Sequence, residues 1–457
     1  MPRRMTIEDA HAYLDGHINL ETGVVNDRAG VSPTVAILPD DAIVSPRRLD
    51  PPSLDRMRRL LAFLGDPQLD LDVLHITGTN GKGSTARMAA ALLAANGLTT
   101  GTYTSPHLSK LNERLAVNGK AIGDEDLAEL IAIVSLAEEA TGDRNSYFEL
   151  VTAAALRWFG DLAVAAAVVE VGAGGRWDAT NTVDGLVGVV TNVELDHMEW
   201  FGDTKEEIAH EKVGIVKPGS TLLIGDTDPG IVDLLRREAS PLGAERMLLR
   251  GEDFGCDSNR LAISGRVLTL RTPTTSYPNI FVPMHGAHQG DNAAIALAAV
   301  EAFVGDPLHP DVVTEGFAAV ENPGRMEIVS RNPLVILDGA HNPAGARALS
   351  AALDEEFAAN PGRIIVIGLL KGRDPAAMLR ALRADTAREV IVVAPPSPRA
   401  MDPSAVVAAA TELGVAAIAL PSIEAALERA RTTAAPGDAV VVTGSLYLIG
   451  YARSLLR

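Results

Sequence analysis

The sequence contains very little cysteine, since Cys256 is the only one among 457 residues. A single cysteine cannot form an internal disulfide, so cross-links within the chain are excluded and a reducing compartment is expected. Apolar runs long enough to cross a membrane are also absent, and residues 1–10 lack the apolar centre of a signal peptide. We therefore expect a cytoplasmic protein that does not bind membranes.

Positive charge is scarce as well. The chain has 40 Lys and Arg residues against 59 Asp and Glu residues, which gives a formal net charge of −19. General nucleic-acid and anionic-membrane binders usually carry a basic face, so this balance argues against both classes and leaves only a local basic pocket open. The length predicts two or three domains, and the hydrophobic content of 47% is that of a globular protein.

One glycine-rich stretch has the features of a phosphate-binding loop. Apolar residues at 71–77 predict a strand, and the alanine- and leucine-rich segment 84–96 predicts a helix. Between them, the glycines of GTNGKGST let backbone N–H groups approach an anion, and Lys82 reaches the outer phosphates. A glycine-rich turn with a solvated lysine is the plainer alternative. Gly83 stands where the common P-loop has a metal-binding hydroxyl, so a bound metal needs ligands from other strand ends.

Three polar residues follow predicted strands and meet that demand. Ser105 follows the predicted strand 99–103, Glu170 ends the apolar run 164–169 in the manner of a Walker-B acid, and His197 lies just past a further strand. The carboxyl ends of strands form the ligand-binding edge of α/β sheets. The plainer alternatives are that Ser105 is only a turn residue and that His197 has only a structural role. Magnesium prefers oxygen ligands, so an imidazole ligand makes manganese an alternative to magnesium at this site.

Two other polar positions have two interpretations each. Lys212 lies on the predicted helix 204–216, where an exposed helix lysine is the plain interpretation. Asn292 opens an alanine-rich helix, where its side chain either caps the helix or contacts a purine. Arg325 lies in the turn-forming sequence ENPGR. The proline-rich segment 21–52 is either an ordered loop over a site or a mobile insertion.

The remaining pattern predicts an α/β protein whose βαβ units restart near residue 332. Residues 218–284 are predicted to be strands and turns. Further helices are predicted at 6–20, 53–64, 125–139 and 293–303. Further strands are predicted at 185–190, 334–337, 363–367, 389–393, 416–420 and 439–443.

Seven stretches, taken in order, resemble the folylpolyglutamate synthases, including the bifunctional dihydrofolate synthases, within the Mur ligase superfamily. They are GTNGKGST, TSPHL with ERLAVNG, EVGAGGRWDATN, LDH with HEKVGIVKPG, NPGR, DGAHNP and TGSLYL. The resemblance implies an α/β fold with a P-loop Mur-ligase-like ATPase domain at 1–326. A smaller Rossmann-like glutamate ligase domain would follow at 327–457, with the active site in the cleft between them.

The resemblance also implies a reaction. The γ-phosphoryl group of ATP would pass to a carboxylate of the pterin substrate, and the amino group of L-glutamate would attack the resulting acyl phosphate. Folate or dihydropteroate would be the acceptor, one or two Mg²⁺ ions the cofactor, and a monomer the form of the protein. A cell-wall Mur-type ligase acting on another acceptor and a catalytically silent nucleotide-binding regulator are the alternatives. The former carries a whole UDP-binding domain before the P-loop, whereas only 77 residues precede Gly78 here.

Site residues follow from the same resemblance. It assigns ATP binding to Thr79, Asn80, Gly81, Lys82, Gly83, Ser84, Asn292, Arg325 and Asp338. It assigns the metal to Ser105, Glu170, His197 and Lys212, the last as a carbamate. It assigns catalytic roles to Lys82, Lys212, Asp338 and His341. It assigns acceptor binding to Ser146, Tyr147, Phe148, Glu149, Trp177, Asp178 and Ala179. The sequence departs from the family pattern at Ser146, which is usually Thr, and at Trp177, which is usually Leu.

Overall fold

The computed structural model describes residues 5–19, 21 and 53–457. Apart from Glu21, the predicted loop 21–52 therefore lies outside the described residues. The chain forms two compact units. Unit 1 comprises Met1–Ser258, Leu268–Phe281 and Gly290–Val320, and unit 2 comprises Asn259–Val267, Val282–Gln289 and Glu321–Arg457. The domain boundary predicted between residues 326 and 327 stays a prediction.

Unit 1 contains an eight-stranded sheet. Its strands are β1 Val73–Thr77, β2 Thr100–Tyr103, β3 Leu115–Val117, β4 Lys120–Ala121, β5 Ala166–Glu170, β6 Gly185–Val190, β7 Thr221–Ile224 and β8 Arg246–Leu249. They lie in the order β4-β3-β2-β5-β1-β6-β7-β8. The strands from β2 to β8 in this order pair in parallel, and β3 and β4 pair antiparallel at one end. Strands β5, β6 and β7 consist mainly of apolar, buried residues, as is typical of a parallel sheet that is covered on both faces.

The helices of the chain up to residue 320 precede, separate and follow these strands along the sequence. They are α1 Ile7–Asp15, α2 Asp55–Phe63, α3 Lys82–Ala95, α4 Asp124–Thr141, α5 Tyr147–Asp161, α6 Met198–Phe201, α7 Lys205–Val213, α8 Pro229–Ala239, α9 His288–Val304 and α10 Pro310–Ala318. Strands β9 Gly255–Ala262, β10 Gly265–Arg271 and β11 Ser276–Val282 form a small sheet in the order β11-β10-β9. No helix of the described chain is both long enough and apolar enough to cross a membrane.

The prediction of strands and turns alone for residues 218–284 is wrong, because α8 lies within that range. The Asp228 side chain accepts a hydrogen bond from the N–H of Gly230, and Pro229 occupies the first turn. Ile231 and Leu235 are buried on one face of the helix. The N-cap, the proline and this apolar spacing were all present in the sequence.

Unit 2 contains a six-stranded sheet. Its strands are β12 Glu327–Arg331, β13 Leu334–Leu337, β14 Gly362–Ile367, β15 Glu389–Val392, β16 Ala417–Ala419 and β17 Asp438–Thr443, in the order β12-β13-β17-β14-β15-β16. Only the edge strand β12 runs antiparallel to its neighbour. The helices are α11 Pro343–Glu356, α12 Pro375–Ala381, α13 Pro403–Glu412, α14 Ile423–Thr433 and α15 Leu446–Leu456. The predicted α/β class is confirmed in both units.

Candidate functional site

The glycine-rich loop of residues 78–83, called the P-loop below, follows β1 near the middle of the unit 1 sheet. Strand β1 pairs with β5, where Ile76 lies opposite Glu170, and with β6 on its other side. Strand β2 is the next neighbour of β5, so Ser105 follows an adjacent strand. Because these strands are parallel, their carboxyl ends meet at one edge of the sheet. The sequence-based grouping of these residues at one edge is therefore reproduced.

Hydrogen bonds to the segment after β6 fix the shape of the P-loop. The N–H of Asn80 donates to Asn192 Oδ1 over 3.0 Å, and the Thr191 hydroxyl donates to the carbonyl oxygen of Asn80 over 2.7 Å. Gly78 has a φ of +148°, and a Cβ there would overlap the Thr191 hydroxyl. The glycine is thus required for the close approach as well as for its backbone conformation. Thr79 adds a hydrogen bond from its N–H to Asn192 O.

The turn into α3 brings Asn292 and Lys82 to the P-loop. Gly81 has a φ of +83°, and a Cβ on it would lie 2.5 Å from Asn292 Oδ1. The side chain of Asn292 therefore lies directly over the loop. Lys82 Nζ donates to the carbonyl oxygen of Gly78 over 3.0 Å. Ser84 is buried in the first turn of α3.

Gly83, Glu170 and Ser105 lie together beside the P-loop. A Cβ on Gly83 would be 3.3 Å from Glu170 Oε2, and the N–H of Ser105 donates to the same oxygen over 3.1 Å. The buried Ser105 hydroxyl has no hydrogen-bond partner among the described residues. A carboxylate beside an unsatisfied hydroxyl is the oxygen chemistry that Mg²⁺ prefers, so these residues fit the predicted metal. The described residues contain no cluster of three or more His, Cys, Asp or Glu side chains suited to a metal, and the predicted set draws on a serine and a lysine instead.

Lys212 is buried, with 4% of its surface exposed, so the alternative of an exposed helix lysine is wrong. Burial and the nearby positive charge of Lys82 lower the pKa of Lys212 to about 7, against the opposing effect of Asp196. Carbon dioxide reacts with a neutral amine, so a pKa near 7 makes a carbamate chemically accessible.

His197 adopts a left-handed backbone conformation, with φ of 52°, at the start of α6. Its ring stacks on Trp200 with 5.3 Å between centroids, and its N–H donates to Asp196 Oδ1 over 2.8 Å. These contacts orient the imidazole through the backbone and a neighbouring ring. The same 191–197 segment supplies the P-loop contacts, so His197 belongs to this sheet edge.

The stretch predicted to bind the acceptor includes the start of α5. Ser146 is the N-cap of this helix, where its hydroxyl accepts from the N–H of Glu149 and the Glu149 carboxylate accepts from the N–H of Ser146. This reciprocal pair is a capping box, and the S-x-x-E spacing was its signal in the sequence. Tyr147 is buried beneath Arg114, and Phe148 packs within reach of Gly172.

The glycine-rich loop after β5 carries the other predicted acceptor residues. Trp177 is 47% exposed, and Ala179 is buried. The Asp178 carboxylate accepts hydrogen bonds from the N–H groups of Ala173 and Thr180 and from the Thr180 hydroxyl. Burial raises the pKa of Asp178, although these donors oppose the shift. Asp178 therefore organises its own loop, while Trp177 presents an aromatic surface.

In unit 2, Asp338 follows the end of β13. Its two oxygens accept from the N–H groups of Met326 and Ala340, each over 2.9 Å. Burial raises the pKa of Asp338, and the positive charge of Arg325 opposes that effect. A Cβ on Gly339 would lie 2.9 Å from Arg325 Nη1. His341 Nδ1 lies 2.8 Å from the carbonyl oxygen of Gly339, which fixes the ring orientation.

One charged cluster in unit 1 was not predicted. Arg114 is 1% exposed and donates to both carboxylate oxygens of Glu21 and, from Nε, to His107 Nδ1 over 2.9 Å. Burial and the facing guanidinium lower the pKa of His107 to about 4. Burial opposes ionisation of Glu21, but Arg114 lowers its pKa overall. The ER pair of ERLAVNG was the only signal in the sequence, and although His107 is close to Arg114 in the chain, Glu21 lies 93 positions away.

Two family models match the chain. The middle domain of Mur ligases matches residues 76–300, and the glutamate ligase domain of Mur ligases matches residues 324–446. Together these matches cover most of the chain from residue 76 onward and leave out residues 301–323 and 447–457.

Individual proteins match over most of their length. The dihydrofolate synthase/folylpolyglutamate synthase of Mycobacterium tuberculosis is 38% identical over 89% of this chain and 90% of its own. A crystal structure of M. tuberculosis folylpolyglutamate synthase complexed with ADP and AMPPCP superposes with a TM-score of 0.85 at 38% identity, over 89% of this chain and 95% of that one. The E. coli FolC structure in complex with DHPP and ADP gives a TM-score of 0.78 at 30% identity, over 88% and 93% of the two chains.

Proposed function

Because the chain belongs to the dihydrofolate synthase and folylpolyglutamate synthase family of Mur ligases, it is an ATP-dependent folate–glutamate ligase, and we propose which residues carry the reaction. The reaction forms an acyl phosphate on the folate carboxylate, and the amino group of L-glutamate then displaces phosphate. We include both tetrahydrofolate and dihydropteroate as acceptors. The double name of the M. tuberculosis relative supports this choice.

The P-loop and Lys82 bind the phosphates of ATP in this proposal. Backbone N–H groups at the start of α3 and the helix dipole favour an anion there. Lys82 Nζ exchanges its hydrogen bond to the Gly78 carbonyl for a stronger, charge-assisted one to a phosphate oxygen. Asn292 lies over Gly81 and contacts the nucleotide. The other nucleotide-contacting residues are Thr79, Asn80, Gly83 and Ser84.

Ser105 and Glu170 hold Mg²⁺ in this proposal, together with His197 and the carbamate of Lys212, in a site for one or two ions. The orphaned Ser105 hydroxyl beside the Glu170 carboxylate supports this assignment. Bound Mg²⁺ neutralises charge that develops on the transferred phosphoryl group. Gly83 contributes by leaving space in front of the Glu170 carboxylate.

Residues of unit 2 complete the proposed set. Arg325 supplies positive charge to the ATP phosphates. The Asp338 carboxylate accepts hydrogen bonds from the backbone N–H groups of Met326, which precedes it in the chain, and Ala340, which follows it. These hydrogen bonds fix the turn that carries His341. We assign to His341 the removal of a proton from the incoming glutamate amine, because the contact between its Nδ1 and the Gly339 carbonyl oxygen fixes the orientation of the ring.

The acceptor contacts the loop after β5 and the start of α5 in this proposal. Trp177 and Phe148 supply aromatic surface, which suits the flat rings of a pterin. Packing and capping by the other assigned residues shape the acceptor pocket in this proposal; these residues are Ser146, Tyr147, Glu149, Asp178 and Ala179. The substrates are thus ATP, L-glutamate and a folate, and we infer a monomer in the cytoplasm that binds neither nucleic acid nor membrane. The net charge of −19 supports the last inference.

The observation that carries the site assignment is the space between Gly83 and the Glu170 carboxylate beside the Ser105 hydroxyl. Its test is phosphate release from MgATP and L-glutamate, with dihydropteroate and tetrahydrofolate as separate acceptors and mass spectrometry of the products. Turnover with both is the expected result. Turnover with tetrahydrofolate alone would remove dihydropteroate from the proposal, and turnover only with a UDP-linked muropeptide would contradict it.

Lys82→Gln provides the residue-level test. We expect it to lower kcat/KM by at least about 100-fold, because phosphoryl transfer depends on charge placed at the phosphates. Lys120→Gln is the matched control, since Lys120 is exposed on β4. Equal activity of the two variants would contradict the role of the P-loop lysine.

A further inference from the structure

The segment that follows β2, residues 105–110, is held by the carboxylate of Glu113. One oxygen of Glu113 accepts from the N–H of Leu108 over 2.8 Å, and the other accepts from Ser109 and Lys110 over 3.2 Å each. A carboxylate that accepts three backbone hydrogen bonds makes charge-assisted contacts with a fixed geometry. Glu113 therefore determines the path of residues 108–110.

The adjacent residue, Arg114, holds the first half of the same segment. Its Nε donates to His107 Nδ1 over 2.9 Å, and its own carbonyl oxygen accepts from the N–H of Thr104 over 3.0 Å. Thr104 and His107 lie on the two sides of Ser105. Arg114 thus contacts the chain both before and after that serine.

The guanidinium of Arg114 is itself fixed from two directions. It forms a bidentate pair with Glu21, with distances of 2.9 and 2.5 Å, and its Cζ lies 5.5 Å from the centre of the Tyr147 ring. Bidentate geometry restricts the orientation of a guanidinium more than a single contact does. A buried arginine held in this way is a rigid support for His107.

Ser105 depends on this support because its own hydroxyl has no hydrogen bond among the described residues. The backbone N–H of Ser105 donates to Glu170 Oε2 over 3.1 Å. The direction of the hydroxyl is therefore set by the backbone of residues 104–110, and that backbone is held by Glu113 and Arg114.

We propose that Glu113 and Arg114 are positioning residues that hold the Ser105 hydroxyl beside the Glu170 carboxylate, so that both oxygens bind one divalent ion. The inference rests on the metal ligands proposed above. The proposal also relates the motifs TSPHL and ERLAVNG to each other, because the second motif supplies the side chains that hold the backbone of the first in place. The Arg114 contact to Tyr147 also joins the proposed metal site to the proposed acceptor pocket.

The test measures metal binding directly in the full-length chain. Mn²⁺ binding in the presence of ADP, followed by electron paramagnetic resonance, is compared for Glu113→Gln, Arg114→Lys and Ser105→Ala. We expect each to weaken Mn²⁺ binding by about 10-fold or more, the usual effect of removing a ligand or the group that orients it. Glu125→Gln and Arg431→Lys, both at exposed positions, are the matched controls and retain the affinity of the unsubstituted chain.

A purely structural role predicts a different pattern. In that case Glu113→Gln and Arg114→Lys lower the melting temperature but bind Mn²⁺ as tightly as the unsubstituted chain at a temperature where they are folded. That result, with weakened binding in Ser105→Ala, overturns the positioning role and leaves the metal ligands standing. Unchanged binding in Ser105→Ala overturns both. If Arg114→Lys does not fold, His107→Ala replaces it, because it removes the contact to the loop and retains the buried Arg114–Glu21 pair.

Discussion

The Cα of Gly83 faces the carboxylate of Glu170, so that a Cβ on residue 83 would lie 3.3 Å from Oε2 and 3.5 Å from Oε1. The position that carries a metal-binding hydroxyl in a common P-loop therefore has no side chain here, and the narrow space that this leaves lies in front of an acid from the neighbouring strand. The Ser105 hydroxyl, from the strand beyond, is the oxygen that the structure offers in exchange. Under the proposed metal site, the ligand role of the P-loop hydroxyl is taken by a residue at another strand end.

Gly83→Ala tests that space. The added methyl group would crowd the Glu170 carboxylate, and we expect the Mg²⁺ concentration for half-maximal activity to rise about 10-fold. The greater helix propensity of alanine over glycine offsets part of the cost of this crowding, so we expect the free energy of unfolding to change by less than about 1 kcal/mol. Gly123→Ala is the control, because the nearest atom to its added Cβ is an Asp126 oxygen at 3.6 Å. An unchanged Mg²⁺ dependence in Gly83→Ala would contradict the role of the space.

Ser146→Ala separates capping from acceptor binding at the start of α5. Loss of the hydroxyl removes the hydrogen bond from the N–H of Glu149, so we expect the free energy of unfolding to fall by about 1 kcal/mol. The hydroxyl is already engaged in the capping box, so KM for dihydropteroate should change by less than about threefold. Thr6→Ala, which removes the capping box of α1, should show the same loss of stability and no change in KM. A large KM increase confined to Ser146→Ala would instead make the serine a substrate contact.

His75 makes the stability of the chain depend on pH. It is fully buried in β1, and burial, with a contribution from Lys217, lowers its pKa from 6.5 to about 3. Between these values the unfolded chain binds a proton that the folded chain does not, so stability falls as the pH falls. The expected loss from this residue between pH 7 and pH 5 is about 2 kcal/mol.

Urea denaturation at both pH values measures that loss. His75→Gln keeps an N–H donor for the Thr180 hydroxyl, which lies 2.9 Å from His75 Nε2, but it cannot titrate. Its stability should therefore change less between the two pH values than that of the unsubstituted chain. His11→Gln, which removes an exposed imidazole from α1, should leave the pH dependence as it was. If His75→Gln and His11→Gln behave alike, the buried histidine does not cause the loss.

Arg266 is expected to be a major source of stability in unit 2. Its guanidinium is buried and pairs with Glu355 and Glu356 at the end of α11, over 2.9 and 2.5 Å. Arg266→Met leaves Glu356 buried without this partner, so we expect a loss of about 3 kcal/mol in the free energy of unfolding. Arg457→Met removes a pair with Glu327 whose arginine is 61% exposed, and it should cost less than about 1 kcal/mol. Equal losses on urea unfolding would contradict this ranking.

The sequence by itself determined the features that depend on neighbours along the chain. Strand β1 and the P-loop were predictable because a short apolar run, glycines and a helical pattern follow one another directly. The S-x-x-E signal of Ser146 and the N-cap and proline of α8 were equally local, and the last two indicate the helix that the prediction of strands and turns for residues 218–284 missed. The family motifs likewise pointed to the ligase without any coordinates.

Only the tertiary structure decided which distant residues meet. It buried Lys212 rather than exposing it, because α7 turns that side chain inward, and it placed Glu21 on Arg114 across 93 positions of sequence. It also brought Gly83 to face Glu170, through the order in which β5 and β1 pair. Such contacts follow from strand order and close packing, which bring together residues that no local pattern connects.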